Sequence, residues 1–298
     1  MSRAYSPIDL SGLPLPEAVE VLDYEVILGE LRADLLAQAP ELAEALALES
    51  EPLVKLLQVA AFRELLTRAR VNDSVRSVML ALASGADLDQ LTALLGVARQ
   101  TVVEADPDAS PPLAAVFEDD ASLRRRAQLS WEGMTIAGTP AAYAFHALSA
   151  DGRVRDVAVT RPRPGTVRVT LLSHEAGGMP SAGLLSTVAA ALETLRPLCD
   201  SVEVAAPAFV DVALVARLQL AGGPGAELVL DAAIAAATAY LRDELAVGRV
   251  LRQGAILARL YQPGVEAVRL LSPVADIDPG PTGVARASLI DIAPEPAP

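Results

Sequence analysis

One predicted helix of this sequence carries more apolar surface than a helix lying half in water can expose. Ser50 can cap this helix and Pro52 stands in its first turn, where a missing N–H costs little, so we predict a helix that runs to about Ala81. A helix packed on one neighbour needs a single apolar stripe. A second helix or another protein must therefore cover an extra face, because the first half is apolar on more than one side, through Leu53, Val54, Leu56, Leu57, Val59, Ala60, Ala61, Phe62, Leu65 and Leu66.

The first 20 residues predict an extended arm. Pro7, Pro14 and Pro16 interrupt any helix and favour extended backbone. An isolated extended peptide cannot bury apolar side chains. The arm therefore packs either on its own domain or on a partner chain, through Ile8, Leu10, Leu13 and Leu15.

The order of patterns along the chain predicts an α+β protein. Helical periodicity fills residues 21–97, and a proline-rich stretch at 98–117 is typical of a linker. Residues 118–206 then predict a helix and a first small α+β module, and residues 207–292 predict a second module in tandem. The last segment, 293–298, alternates Pro with Ala and Glu, and we expect it to be disordered.

Three consecutive arginines, Arg124, Arg125 and Arg126, lie in the helix predicted over residues 118–130. Three neighbours on a helix point to different sides, so one surface cannot use them all in the same way. Two interpretations stay open. The arginines pair with the acidic residues 118–120 of their own helix, or they form salt bridges to another subunit.

The charge of the chain excludes two classes of partner. Lys and Arg number 24 against 38 Asp and Glu, which gives a net charge of −14. Phosphate backbones and anionic membranes attract basic surfaces, so we expect neither nucleic acid nor membrane as a partner. No segment has the pattern of a membrane-spanning helix or of a secretory signal, so we expect folding in the cytosol.

The residues that usually carry chemistry are scarce. One cysteine, Cys199, and two histidines, His146 and His174, are too few for a Cys/His zinc site. His146 lies in an apolar helical stretch typical of a core histidine, and no nucleophile elbow, zincin helix or dinucleotide-binding loop is present. We therefore predict no catalytic residue, no metal and no cofactor.

Several phrases, in their order along the chain, resemble the baseplate J-like family of contractile-tailed bacteriophages. No single phrase is decisive, and the resemblance covers nearly the whole chain. The sequence departs from the family pattern at Cys199 and Trp131. The phrases are residues 9–14 (DLSGLP), 48–57 (LESEPLVKLL), 63–66 (RELL), 70–73 (RVND), 85–89 (GADLD), 118–120 (EDD), 124–126 (RRR) and 143–149 (YAFHALS).

The resemblance implies a non-enzymatic structural wedge protein of a tail baseplate in the virion, assembled in the host cytoplasm. Two copies are expected to pair with one tail protein I-type partner through a bundle of N-terminal helices, and six such wedges to close around a hub. Neighbouring wedges and a lysozyme-like wedge protein are the other expected partners. The expected contact residues of the arm and bundle are Leu10, Leu13, Leu15, Leu53, Leu56, Leu57, Phe62 and Leu65.

Two alternatives stay open at the level of the sequence. The first is the equivalent wedge component of a related contractile injection device, which neighbouring genes would distinguish. The second belongs to another class: a two-module enzyme or ligand-binding protein that holds a small molecule between its α+β modules. A monodisperse monomer with a saturable small ligand would favour the second alternative.

Overall fold

A computed structural model describes residues 8–222 and 225–295. The chain divides into two compact units. One, which we call the helical module, comprises the described residues up to Ala98 together with Asp119–Ala127. The other, the α+β unit, comprises Arg99–Glu118 and the described residues from Gln128 onward. No helix in the described part of the chain is long and apolar enough to cross a membrane.

The helical module is built from α1 (Tyr24–Gln38), α2 (Ala43–Leu46), α3 (Pro52–Ser77) and α4 (Gly85–Ala93). The Asp23 carboxylate accepts from the first N–H groups of α1, and Pro52 begins α3. The core between α1 and α3 is small. It consists of Ile27, Leu28 and Ala61 with four half-buried neighbours, Tyr24, Leu31, Leu57 and Leu65.

Helix α5 (Asp120–Gly133) begins in the helical module and ends in the α+β unit. The region predicted as a linker differs from that expectation, since it contains a short antiparallel ribbon of β1 (Thr101–Val103) and β2 (Val116–Phe117). Backbone hydrogen bonds between Asp106 and Leu113 extend the ribbon. Residues 99–118 therefore belong to the α+β unit and are not a free connection.

The first α+β module contains α6 (Pro140–Ala150), β3 (Val154–Arg163), β4 (Thr166–Ser173), α7 (Ala182–Leu195) and β5 (Ser201–Ala205). The hairpin β3–β4 is antiparallel, and β5 pairs in parallel with β4. Apolar side chains of α6 and α7 cover the sheet. Its core includes Val157, Leu171, Leu184, Val188 and Leu192, all completely buried.

The second α+β module contains β6 (Ala208–Leu220), α8 (Ala226–Asp243), α9 (Gln253–Leu260), β7 (Val265–Ser272) and β8 (Gly283–Pro294). The long strand β6 is central, with β7 antiparallel on one side and β8 parallel on the other. The α+β class predicted from the sequence is confirmed.

Two sequence predictions differ from the structure at element ends. Helix α3 ends at Ser77 and not near residue 81, because the chain passes into turns closed by the Met79 and Leu82 N–H groups. Strand β8 reaches Pro294, and the Glu295 N–H donates to the Leu218 carbonyl. Residues 293–295 are thus ordered in the sheet, while the rest of the predicted tail lies outside the described residues.

The two α+β modules share buried apolar side chains. Ala158 and Leu172 of the first module pack with Val247 and Val284 of the second. The buried carboxylate of Asp156 accepts from the Val247 N–H at 2.8 Å. A packed core therefore occupies the region where the sequence alternative would hold a small ligand.

Candidate functional site

Helix α3 has two apolar faces, and among the described residues only one of these faces is packed against another part of the chain. Leu57 and Leu65 pack against α1, and Leu53 is half-buried. Leu56 and Phe62 remain 64% and 52% exposed. The structure thus separates the five α3 residues predicted to bind a partner into an internal set and an exposed set.

The exposed set belongs to a continuous stripe. Leu56, Val59, Phe62 and Leu66 recur at spacings of three and four, which places them on one side of the helix, and each is about half exposed or more. We call this stripe the outer face of α3. Val59 and Leu66 were not among the predicted contact residues, although their spacing from Phe62 is the signal that identifies them.

Basic side chains lie among the apolar side chains of the outer face of α3. Lys55, Arg63 and Arg70 are exposed on the same side of the helix. Over its full length α3 carries five basic and two acidic residues, a net charge of +3 in a chain of −14. The outer face of α3 therefore combines large apolar side chains with a local positive charge.

The predicted contact residues of the arm also differ in how exposed their side chains are. Leu10 is half-buried within a short 3₁₀ turn, Leu10–Gly12, whereas Leu13 and Leu15 are 53% and 61% exposed. Residues 1–7 of the predicted arm lie outside the described residues. Two of the three predicted arm contacts are thus exposed side chains.

Two of the three arginines bind backbone carbonyls within the helical module. The Arg124 guanidinium donates to the carbonyls of Leu80 and Ala83, both at 2.6 Å. Arg126 is 5% exposed and donates to the Ala98 carbonyl at 2.7 Å. These bonds hold α5 against the turns that follow α3 and α4. An inter-subunit salt-bridge role for the three arginines stays a prediction.

Two titratable side chains of the α+β unit lie within the fold, whereas the free thiol of Cys199 is exposed. The Tyr143 hydroxyl donates to the Asp200 carboxylate at 2.7 Å, and burial, followed by this bond, raises the pKa of Tyr143. His146 is half-buried against the edge of Phe145, and burial lowers its pKa.

An open cavity of about 450 Å³ lies beside the ribbon strand β1. In its wall Arg153 donates to Asp151 at 2.8 Å and to Glu175 at 3.2 Å. The Glu175 carboxylate also accepts a hydrogen bond from the Ser181 N–H, so it has a structural role in this unit. Among the described residues, no group of three or more His, Cys, Asp or Glu side chains could hold a metal ion.

An exposed apolar stripe such as the outer face of α3 is typical of one class of protein, the subunits of larger protein assemblies. Two family models match the chain: the baseplate J-like N-terminal domain over residues 49–106, and the baseplate J-like central domain over residues 135–206. Baseplate protein J of Escherichia phage P2 is 45% identical over 277 residues, which cover 91% of this chain and 92% of that protein. The chain belongs to the baseplate J-like family and is a baseplate component.

A solved structure of the anti-feeding prophage baseplate also matches, with a TM-score of 0.45 and 16% sequence identity. The match covers 59% of this chain and 44% of that chain. The matched part of this protein therefore spans less than half the length of that one. The N-terminal family model includes the outer face of α3, since its match begins at residue 49.

Proposed function

We propose that the protein is a structural wedge subunit of the baseplate of a contractile phage tail. In this proposal two copies join one tail protein I-type partner, and six wedges surround the central hub. Neighbouring wedges and a lysozyme-like wedge protein complete its contacts, and assembly takes place in the host cytoplasm. The protein acts by binding other subunits and not by catalysing a reaction.

The single observation that carries the proposal is the outer face of α3. A monomer gains nothing by exposing Leu56, Val59, Phe62 and Leu66 in one stripe, whereas a helical bundle buries such a stripe against partner helices. The small core between α1 and α3 supports the same conclusion, because it covers only one side of α3. Leu13 and Leu15 of the arm offer further apolar surface to a partner.

The test is co-expression of the full chain with the tail protein I-type protein encoded beside it, followed by native mass spectrometry. The proposal predicts a complex of two copies of this chain with one copy of the partner. Phe62→Glu should prevent the complex, because it places a charge at the centre of the apolar stripe. Leu228→Glu, at a site 74% exposed on α8, is the matched control and should leave the complex intact. A chain that stays monomeric beside its partner would contradict the proposal.

A further inference from the structure

A second exposed stripe lies on α1, on the side of the helix turned away from its core residues. Val26, Gly29, Ala33 and Ala37 recur at spacings of three and four, and all four are exposed. Ile27 and Leu28 of the same helix are buried against α3. A Cβ atom added to Gly29 would meet nothing within 4 Å, so none of the described residues covers the stripe there. We call this stripe the outer face of α1.

The two outer faces differ in the size of their side chains. The outer face of α1 presents three small residues, so another helix can approach its backbone closely, with Val26 at 56% exposure as its larger member. The outer face of α3 presents four large apolar side chains. Large side chains on one helix fit against small ones on another, which is how helices interlock at short interaxial distance.

The two outer faces also differ in charge. Glu25 and Asp34 border the outer face of α1, and the segment from α1 through α2 carries five acidic residues and one basic residue, a net charge of −4. Lys55, Arg63 and Arg70 lie on the outer face of α3, whose helix has a net charge of +3. Opposite charges on two contacting helix faces favour one pairing and one orientation over others.

From these properties we propose that the outer face of α3 in one copy binds the outer face of α1 in a second copy. Each face lies opposite to the side on which α1 and α3 pack within the chain, so the two faces of one copy point in opposite directions. One partner copy cannot reach both of them. The contact is therefore heterologous: each copy has one face used and one face free.

This inference deepens the proposed wedge function, and it rests on that proposal for the stoichiometry of two copies. A heterologous contact makes two identical chains inequivalent, with one free α3 face at one end of the pair and one free α1 face at the other. A third component that binds a free face stops further addition. Without that component further copies can add at each free face, so the chain alone should form open oligomers whose size grows with protein concentration.

Complementary variants of the full chain test this arrangement by sedimentation velocity and native mass spectrometry. The variant Leu56→Ser with Phe62→Ser disables the outer face of α3, and Ala33→Arg disables the outer face of α1 by its bulk and by adding a charge of the same sign as that of α3. Both replace exposed side chains, so the fold is expected to persist, which circular dichroism and thermal unfolding will check. Leu228→Ser on α8 is the control.

We expect wild type and the control to form oligomers that grow with concentration at micromolar protein. Each disabled variant alone should be monomeric, with self-association weakened by about thirtyfold or more. An equimolar mixture of the two variants should give a 1:1 dimer and nothing larger, because one intact α3 face meets one intact α1 face. That recovery of a dimer from two monomers is specific to a heterologous contact.

Three results would overturn the inference: a mixture that stays monomeric, a closed dimer formed by either variant alone, or a wild-type chain that is monomeric at micromolar concentration. If the mixture fails while the wild-type chain still forms the 2:1 complex with its partner, the proposed function stands and only this pairing is wrong. If the chain does not bind the partner but the variants recombine into a dimer, the pairing stands and the wedge proposal is wrong.

Discussion

The two units of the chain differ in how their helices bury apolar surface. In the α+β unit, α7 places Leu184, Val188 and Leu192 on one face, completely buried against a sheet. In the helical module, α3 is apolar on two faces, and α1 covers only one of them. Helix α7 thus buries its apolar face within the chain, whereas α3 leaves one apolar face exposed, which we propose is covered by association.

The largest expected effect comes from the core of the α+β unit. Leu171 is fully buried among α6, α7 and the sheet, so Leu171→Ala should lower the free energy of unfolding by about 3 kcal/mol. Phe62→Ala on the outer face of α3 should change it by less than about 0.5 kcal/mol. Urea denaturation of dilute protein measures both. Equal losses for the two variants would mean that the units do not differ in this way.

A smaller loss of stability is expected from a substitution at the contact between the ribbon and the first α+β module. A Cβ atom at Gly152 would collide with the Thr101 carbonyl oxygen, so Gly152→Ala should cost about 2 kcal/mol through displaced backbone. Gly183→Ala in α7 is the control, because its nearest contact lies at 4.0 Å. Thermal unfolding compares the two. An unchanged midpoint for Gly152→Ala would mean that the ribbon does not belong to this unit.

The third prediction concerns how α5 is held in the helical module. Arg124→Ala removes the donors to the Leu80 and Ala83 carbonyls and should lower the free energy of unfolding by about 1.5 kcal/mol. Arg242→Ala is the control, since Arg242 forms an exposed ion pair with Asp243. If both variants behave alike in urea, Arg124 does not hold the module together, and its side chain is available to another subunit.

The smallest expected effect is on the stability of the α+β unit at acidic pH. The hydrogen bond from Arg153 holds the pKa of Asp151 below its ordinary value of 3.8, against the opposing effect of burial. The ionised carboxylate therefore stabilises the α+β unit above about pH 4, and this contribution is lost as the pH falls through its folded pKa. Asp151→Asn should flatten the dependence of stability on pH below about pH 4. A slope equal to that of wild type would show that the pair with Arg153 contributes nothing.

The fold could be predicted from the sequence where the signal is local. Helical periodicity over residues 21–97 predicted the region of α1 and α3, and the two α+β modules were predicted over 118–206 and 207–292, because an element with one buried face has a regular hydrophobic period in its sequence. The ribbon of β1 and β2 was missed since its strands are short and its pairing joins residues that lie far apart in a proline-rich stretch. Pairing of that kind has no local period.

The candidate site could be predicted only in part. The apolar excess of α3 indicated an external partner, but Leu57 and Phe62 are equally apolar in sequence, and only the position of α1 decides which of them is exposed. The bonds of Arg124 reach carbonyls more than forty residues away, which no spacing rule predicts. The small outer face of α1 was also missed, because alanine and glycine carry little hydrophobic signal.

The most direct test of whether the helical module completes its core by association is hydrogen–deuterium exchange. The measurement compares the full chain free in dilute solution with the full chain bound to its tail protein I-type partner. We predict that the amides of α1 and α3 exchange quickly in the free chain and become protected in the complex, while those of β4, β6 and α7 are equally protected in both states. Protection that changes only in the α+β unit, with α1 and α3 unaffected, would contradict this prediction.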